Sequence, residues 1–137
     1  MMISARIFLT GFGAALLAAS QVDAASLKAL QGAWAMQGMD CNATFKSNGG
    51  TIRFRDKGSM LTSGIIITGS KIISPDMSCT AQKVRQLKDR TTVLMSCADA
   101  VLFDTLSASF RLTGKDSLQK FDPDFPDTAY TYTKCHF

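Results

Sequence analysis

The cysteines constrain the fold of this chain more than any other residue type does. They are Cys41, Cys79, Cys97 and Cys135. The tripeptide Met-Ser-Cys occurs at residues 77–79 and again at 95–97, so two cysteines bracket one basic, threonine-rich segment. A zinc site would need closely spaced cysteine pairs with nearby histidines, but the only histidine is His136 and there is no C-x-x-C motif. We therefore expect structural disulfides, with neither a metal site nor a reactive thiol.

Residues 1–24 have the three parts of a secretory signal peptide in order. Arg6 supplies a positive start, residues 7–19 are apolar and uncharged, and Val22-Asp23-Ala24 fits a cleavage site. The apolar run is shorter than the roughly 20 residues that span a membrane; an uncleaved anchor is the alternative. We expect residues 25–137 to form one mature domain, periplasmic or secreted, with no transmembrane anchor after cleavage. In such an oxidising compartment an even number of cysteines predicts two disulfides.

Turn residues divide the rest of the chain into short strands. Asn48-Gly49-Gly50 is a strong hairpin signal, because both turn residues of such a hairpin need positive φ. Gly69-Ser70 lies between two runs of β-branched residues, and Asp56-Lys57-Gly58 and Gly114-Lys115-Asp116 mark further turns. Residues 129–133 alternate as a last strand.

Alternation also marks a strand from residue 106 to 112, with one buried face. Its apolar positions are Leu106, Ala108, Phe110 and Leu112. Residues 98–103 fit either a helical turn or a strand, and residues 26–30 fit a short N-terminal helical turn with Ser26 as N-cap. Together these patterns predict an all-β fold. We expect a small antiparallel meander barrel of about eight strands, since closure removes exposed edges, with a sandwich as the other architecture.

Residues 78–86 and 90–98 form the two halves of a predicted hairpin around a three-residue turn, Leu87-Lys88-Asp89. In this register Val84 pairs with Thr92. Cys79 then lies opposite Cys97, and the Cβ atoms of opposed residues are ~4.5–5.5 Å apart, near what a disulfide needs.

The second predicted disulfide is Cys41–Cys135, because closing a barrel brings the first and last strands together. The alternative is a sequential pairing, Cys41–Cys79 with Cys97–Cys135. The recurrence of Phe54-Arg55 as Phe110-Arg111 would fit that pairing as a duplicated half. The third connectivity is also open at this point.

The net charge of +4 is unevenly distributed. A basic cluster consists of Lys83, Arg85, Lys88 and Arg90. Such a cluster can bind nucleic acid or anionic envelope polymers, but on one hairpin it is more typical of a solvated face, and we expect no nucleic-acid partner. His136 is next to the last residue, a poor position for a catalytic imidazole. We expect no enzyme activity, no catalytic residues and no cofactor.

The stretch FDPDFPDTAY gathers two phenylalanines and three aspartates between prolines. Paired carboxylates can serve a glycosidase, but proline-stiffened spacing favours a rigid exposed loop. Such a loop could bind a partner through apolar anchors with a charged rim, since preordering lowers the cost of binding. The candidate partner-binding residues are Phe121, Asp122, Asp124, Phe125 and Asp127. The alternative is that both phenylalanines pack into the barrel end.

The segment Leu30-Gln31-Gly32-Ala33-Trp34 resembles the G-x-W signature that opens the first strand of lipocalins and other calycin-like barrels. This resemblance implies a structural role for Gly32 and Trp34, with the tryptophan packed across the closed end of the barrel. Within that group the chain resembles small exported bacterial hydrolase inhibitors, such as alkaline metalloprotease inhibitors. It is also similar to uncharacterised alphaproteobacterial periplasmic proteins with four cysteines.

These observations favour a periplasmic or secreted binding module whose partner is a protein, either a hydrolase that it inhibits or an envelope component. The alternative is a carrier of a small apolar ligand inside the barrel. A binder predicts an exposed loop cluster and a solid core. A carrier predicts a cavity lined by residues 65–67, Phe110 and Leu112, whereas a small barrel whose interior is filled by side chains would leave little room.

Overall fold

The computed structural model describes residues 27–56 and 63–137. The predicted signal peptide, the Ser26 cap and the Lys57-Gly58 part of one predicted turn lie outside these residues. The described elements are a 3₁₀ turn (Lys28–Leu30), a short helix α1 (Cys41–Thr44) and the strands β1 (Gly32–Met36), β2 (Phe45–Asn48), β3 (Thr51–Phe54), β4 (Gly64–Thr68), β5 (Lys71–Ile73), β6 (Ser78–Leu87), β7 (Arg90–Ala98), β8 (Phe103–Gly114), β9 (Ser117–Phe121) and β10 (Ala129–Cys135).

Eight of these strands form one closed antiparallel barrel in the order β1-β10-β9-β8-β7-β6-β5-β4, with β4 pairing back to β1. The predicted all-β barrel is therefore confirmed. From β4 to β10 the barrel is a meander, in which each strand pairs with the next along the chain. Between β1 and β4 the chain leaves the barrel to form α1 and the β2–β3 hairpin, which is a separate two-stranded sheet.

Both predicted disulfides of the nested pairing are present, so the sequential pairing is wrong. Cys41 is bonded to Cys135, and Cys79 is bonded to Cys97. The Cys79–Cys97 bond faces the barrel interior, where both residues belong to the inner core. The Cys41–Cys135 bond lies on the outside of the barrel and fastens α1 to the end of β10. The two disulfides therefore stabilise different layers of the molecule.

Two hydrophobic cores follow from the alternation of side chains across the barrel wall. Trp34 and Ile65 face inward and belong to the inner core. Their neighbours Ala33, Ala35 and Ile66 face outward and are buried as well. The β2–β3 hairpin covers that outer face with two aromatic side chains, those of Phe45 and Phe54, whose rings are 5.1 Å apart. Strands β1 and β4 are thus buried on both faces, which explains why residues 64–68 contain three consecutive isoleucines.

Gly64 permits the hairpin to approach the barrel closely. A Cβ at this position would lie 2.7 Å from Cζ of Phe45 and 2.8 Å from the carbonyl oxygen of Trp34. Both distances are shorter than van der Waals contact allows, so any larger residue would push the hairpin away from β4.

The 3₁₀ turn closes one end of the barrel. Leu27 and Leu30 are buried there with the fully buried Trp34, whose Nε1 donates a hydrogen bond of 2.9 Å to the Leu30 carbonyl. The N-cap position of the turn is Leu27, which makes no side-chain cap hydrogen bond. Gly32 follows with φ of +137°, and a Cβ there would lie 2.9 Å from Cε of Lys134. The end of the barrel defined by this turn is called the closed end below.

The β6–β7 hairpin forms as predicted at the cysteines but differs at the turn. Cys79 pairs with Cys97, yet Val84 pairs with Val93 instead of Thr92. A β-bulge between Ala81 and Lys83 shifts the register by one residue, so the turn has two residues, Lys88 and Asp89, instead of the predicted three. Lys88 takes a left-handed φ of 56°, which two-residue turns require. The bulge adds one residue to β6, which compensates for the turn being one residue shorter. The alternation of apolar and polar residues in the sequence does not reveal this bulge.

Other predicted turns and strands agree with the structure, with two corrections. The hairpin at Gly49-Gly50, with φ of 58° and 80°, and the Gly69-Ser70 turn are both present. Residues 98–103 form neither a helical turn nor a single strand, because a loop separates β7 from β8 there. Leu106 and Leu112 are 36% and 37% exposed instead of buried. Leu112 lies beyond the last β7–β8 pair, so one of its sides has no neighbouring strand.

Candidate functional site

The end of the barrel opposite the 3₁₀ turn is called the open end. Three loops of the β4–β10 meander lie there, because alternate connections in an antiparallel meander fall at the same end. They are residues 74–77 between β5 and β6, 99–102 between β7 and β8, and 122–128 between β9 and β10. The opposite connections are tight turns at the closed end. Longer loops on a rigid barrel are the usual place for binding residues.

A cavity of about 310 Å³ reaches from the open end into the barrel. Its walls are chiefly side chains of β4 to β8, together with Met77 of the β5–β6 loop; the strand residues are Ile65, Ile72, Cys79, Met95, Leu106, Ala108 and Phe110. Ala108 is one of the lining residues and contributes only a methyl group to the wall. The Cys79–Cys97 disulfide forms part of the wall, so it shapes the site without itself having a free thiol.

Lys120 is the one charged residue among the described residues that line this cavity. It pairs with Phe110 of β8 and with Tyr130 of β10. Phe110 faces inward, and paired residues in a sheet project to the same side, so Lys120 also projects from the inner surface. Its side chain is partly buried, and no residue in the described ranges makes an ion pair or hydrogen bond with it.

Two carboxylates near the open end, those of Asp122 and Asp104, are held by other groups. Asp122 Oδ1 accepts hydrogen bonds from the amides of Asp124 and Phe125, and the Tyr130 hydroxyl donates to its Oδ2 at 3.4 Å. Asp104 accepts from the amide of Thr105. These carboxylates organise their own loops instead of neutralising the lysine.

An open groove of about 580 Å³ lies beside the cavity, between residues 73–78 and 98–101. Ser74 and Met77 line both spaces, so the groove and the cavity adjoin. At its border three large apolar side chains are exposed: Val101 by 87%, Leu102 by 68% and Phe103 by 75%.

Asp99 fixes the loop that carries these apolar residues. Its Oδ1 accepts hydrogen bonds from the amides of Val101 at 2.7 Å and Leu102 at 2.6 Å. These two amides hold the pKa of the Asp99 carboxyl below its usual value. The exposed apolar residues are therefore presented on an ordered turn.

The predicted partner-binding loop is divided by the structure into buried and exposed residues. Phe121 is buried, and the guanidinium carbon of Arg90 lies 3.5 Å from its ring centroid. Arg90 also donates a hydrogen bond of 3.2 Å to the carbonyl of Pro126, which holds the loop against the barrel. Phe125 is 68% exposed, and Asp124 and Asp127 are exposed beside it. The binding role of this loop stays a prediction, with Phe125 as its available apolar anchor.

Other candidate groups lie away from the cavity. His136 is exposed and its Nε2 is 3.0 Å from Oδ1 of Asp116. Of the basic cluster, Lys83, Arg85 and Lys88 are exposed on the β6–β7 hairpin. In residues 27–56 and 63–137 no group of three or more histidine, cysteine or carboxylate side chains is arranged to hold a metal ion. No helix in the same ranges is long and apolar enough to cross a membrane.

Two features of the open end were missed by sequence reasoning. Lys120 was unremarkable because its inward orientation depends on its pairing with Phe110, and pairing is a tertiary property. The apolar run Val101-Leu102-Phe103 is evident in the sequence. Its exposure was not predicted, because such runs are normally buried. No family model, curated protein or solved structure matches this chain. The site is therefore interpreted from its own chemistry.

Proposed function

We propose that this chain is an exported binding module whose barrel takes a small apolar ligand at the open end. The cavity lined by Ile65, Met95 and Phe110 is the observation that carries this proposal. It is concave and mostly apolar, with a single charged group, which is the usual composition of small-molecule sites. Its volume is at the low end of the roughly 300–1,000 Å³ of such sites, which favours a compact ligand.

The compartment and the absence of catalysis belong to the same proposal. Two disulfides favour an oxidising location, such as the periplasm or the exterior. A mostly apolar cavity with one titratable side chain in its lining favours a carrier over an enzyme, which needs at least two convergent catalytic groups. The position of Trp34 at the closed end is compatible with the lipocalin-like resemblance, which stays a prediction.

A cavity-filling variant tests the proposal. We expect the neutral fluorophore N-phenyl-1-naphthylamine to bind the wild-type protein. Ala108→Leu should weaken its binding by about tenfold or more, because close-packed interiors leave no room for both groups. Ala29→Leu makes the same change at an exposed position of the closed end and should leave binding unchanged. Absence of binding to the wild-type protein, or unchanged binding to a folded Ala108→Leu variant, would contradict the proposal.

The second candidate function is binding of a protein, with inhibition of a hydrolase as its specific form. The exposure of Val101, Leu102 and Phe103 on an ordered turn favours it, because exposed apolar patches mark interaction sites. Inhibition assays against periplasmic proteases and lysozymes would test it. Replacing the three residues by serine should abolish any inhibition, whereas replacing the exposed Leu87 at the end of β6 by serine should not. A lack of inhibition across the panel would remove the inhibitor function.

A further inference from the structure

We infer that the ligand of the barrel cavity carries an anionic group, and that Lys120 binds this group at the cavity wall. The inference rests on the proposed function, since it assigns a chemical class to the ligand of the same cavity. Its basis is the combination of an apolar cavity with one inward-projecting cation that has no anionic partner in the described ranges.

Lys120 is partly buried and has no carboxylate partner in the described ranges. Removing an ammonium group from water without giving it a partner costs free energy, and surface lysines avoid that cost by pointing to solvent. Lys120 instead belongs to the inner face of β9, between the inward Phe110 and Tyr130. A buried or half-buried charge gains most from a partner when that partner enters the same low-dielectric space. A ligand anion meets this condition.

The surrounding acidic groups do not supply that partner. Asp122 is occupied by two amides of its own loop and by the Tyr130 hydroxyl, and Asp104 by the following amide. The Arg111–Asp89 ion pair and the His136–Asp116 contact both lie outside the cavity lining. Lys120 is therefore the available cation for an entering ligand.

The expected ligand chemistry follows from the two parts of the site. The apolar walls select a compact hydrocarbon or aromatic body. The lysine selects a single carboxylate, sulfonate or similar anion attached to that body, because a charge-assisted hydrogen bond requires an ionised acceptor. The lysine stem can pack along the apolar wall while its ammonium contacts the anion.

A matched pair of fluorophores tests the charge preference. N-phenyl-1-naphthylamine and 8-anilinonaphthalene-1-sulfonate share one aromatic skeleton and differ by the sulfonate. We expect the wild-type protein to bind the sulfonate more tightly. Lys120→Met should weaken sulfonate binding by about tenfold and change the neutral probe by less than about twofold. Lys120→Arg should restore most of the loss, because it restores the positive charge.

Three controls keep the outcome interpretable. Lys115→Met removes an exposed lysine from the β8–β9 turn at the closed end and should change neither probe. Ala108→Leu should weaken both probes, which places them in the cavity. Raising the salt concentration should weaken the sulfonate more than the neutral probe.

Equal binding of the two probes to the wild-type protein would overturn the inference, and so would sulfonate binding that does not depend on Lys120. In both cases binding of the neutral probe that depends on Ala108 would leave the proposed function standing. If neither probe binds, the proposed function itself fails.

Discussion

The closed and open ends of the barrel are built from the same inward-facing alternation, yet only one of them is filled. At the closed end Leu27, Leu30 and Trp34 are each at most 3% exposed. At the open end Leu106 is 36% exposed, and the space beside Ala108 is a cavity. The two ends also differ in their connections, which are tight turns at one and longer loops at the other.

This difference separates stability from binding within one small barrel. The closed end holds the largest fully buried side chain, Trp34, with its indole hydrogen bond satisfied. The open end carries its polar groups on loops and keeps large apolar side chains in contact with solvent. A small domain is only marginally stable, so close packing at one end is needed to stabilise the fold. The other end can then be packed less closely and is available for binding.

The largest expected effect comes from truncating the closed end. Trp34→Ala should lower the free energy of unfolding by about 3–5 kcal/mol, because it creates a cavity in the inner core and removes the hydrogen bond to Leu30. Leu106→Ala at the open end should cost about 1 kcal/mol, since that side chain is only partly removed from water. Urea unfolding of both variants measures the difference. Equal losses would show that the open end is packed as firmly as the closed end.

A smaller effect is expected where the outer hairpin meets the barrel. Gly64→Ala should lower the free energy of unfolding by about 1–3 kcal/mol, because the added methyl group overlaps Phe45 and the Trp34 carbonyl. Gly114→Ala is the matched control, since a Cβ there meets nothing within 4 Å. It should change the free energy by less than about 0.5 kcal/mol. Thermal or urea unfolding compares them, and a harmless Gly64→Ala would mean that the hairpin can shift outward freely.

The smallest effect concerns acid conditions at the open end. The Asp99 pKa is lowered in the folded protein by the Val101 and Leu102 amides, so the carboxylate stabilises its loop above the ordinary pKa of about 3.9. This contribution is lost as the pH falls through the lower folded value. NMR should show both amide shifts titrating together with a midpoint below about 3.9, and Asp99→Asn should abolish the titration.

The closed end provides the internal control for this titration. The Gly69 amide donates to Oε1 of Gln31, a neutral acceptor, at 2.7 Å. Its shift should therefore stay constant over the same acid range. A midpoint at or above 3.9 for the Val101 and Leu102 amides would contradict the proposed role of Asp99 in ordering the loop.

The sequence predicted those parts of the fold that depend on local chemistry. Glycine pairs and β-branched runs located the hairpins at Gly49-Gly50 and Gly69-Ser70, because those turns need residues that tolerate positive φ. The Cys79–Cys97 bond was predicted from an assumed three-residue turn, and the structure reaches the same pairing with a two-residue turn and a bulge. The closed barrel was predicted because the sequence contains many short strands, and closing a sheet removes its exposed edges.

The parts that sequence reasoning missed depend on contacts between distant segments. The bulge between Ala81 and Lys83 leaves no mark in the alternation, and so Val84 was assigned the wrong partner. The β2–β3 hairpin leaves the barrel and covers the outward-facing Ala33 and Ile66, a contact that only the assembled structure reveals. Lys120 became a candidate only once its pairing with Phe110 was known. The site was therefore less predictable than the fold.

The pairing of β1 with β10 has a consequence for how the chain is made. These strands lie at opposite ends of the described sequence, and the Cys41–Cys135 bond joins the same two regions. Neither barrel closure nor this disulfide can form before residues 129–135 are present. During synthesis the earlier strands therefore stay incompletely paired until the last strand has been made. Contacts between residues so distant in sequence form slowly. If the chain is exported, this delay gives a translocation machinery time to thread it before it folds.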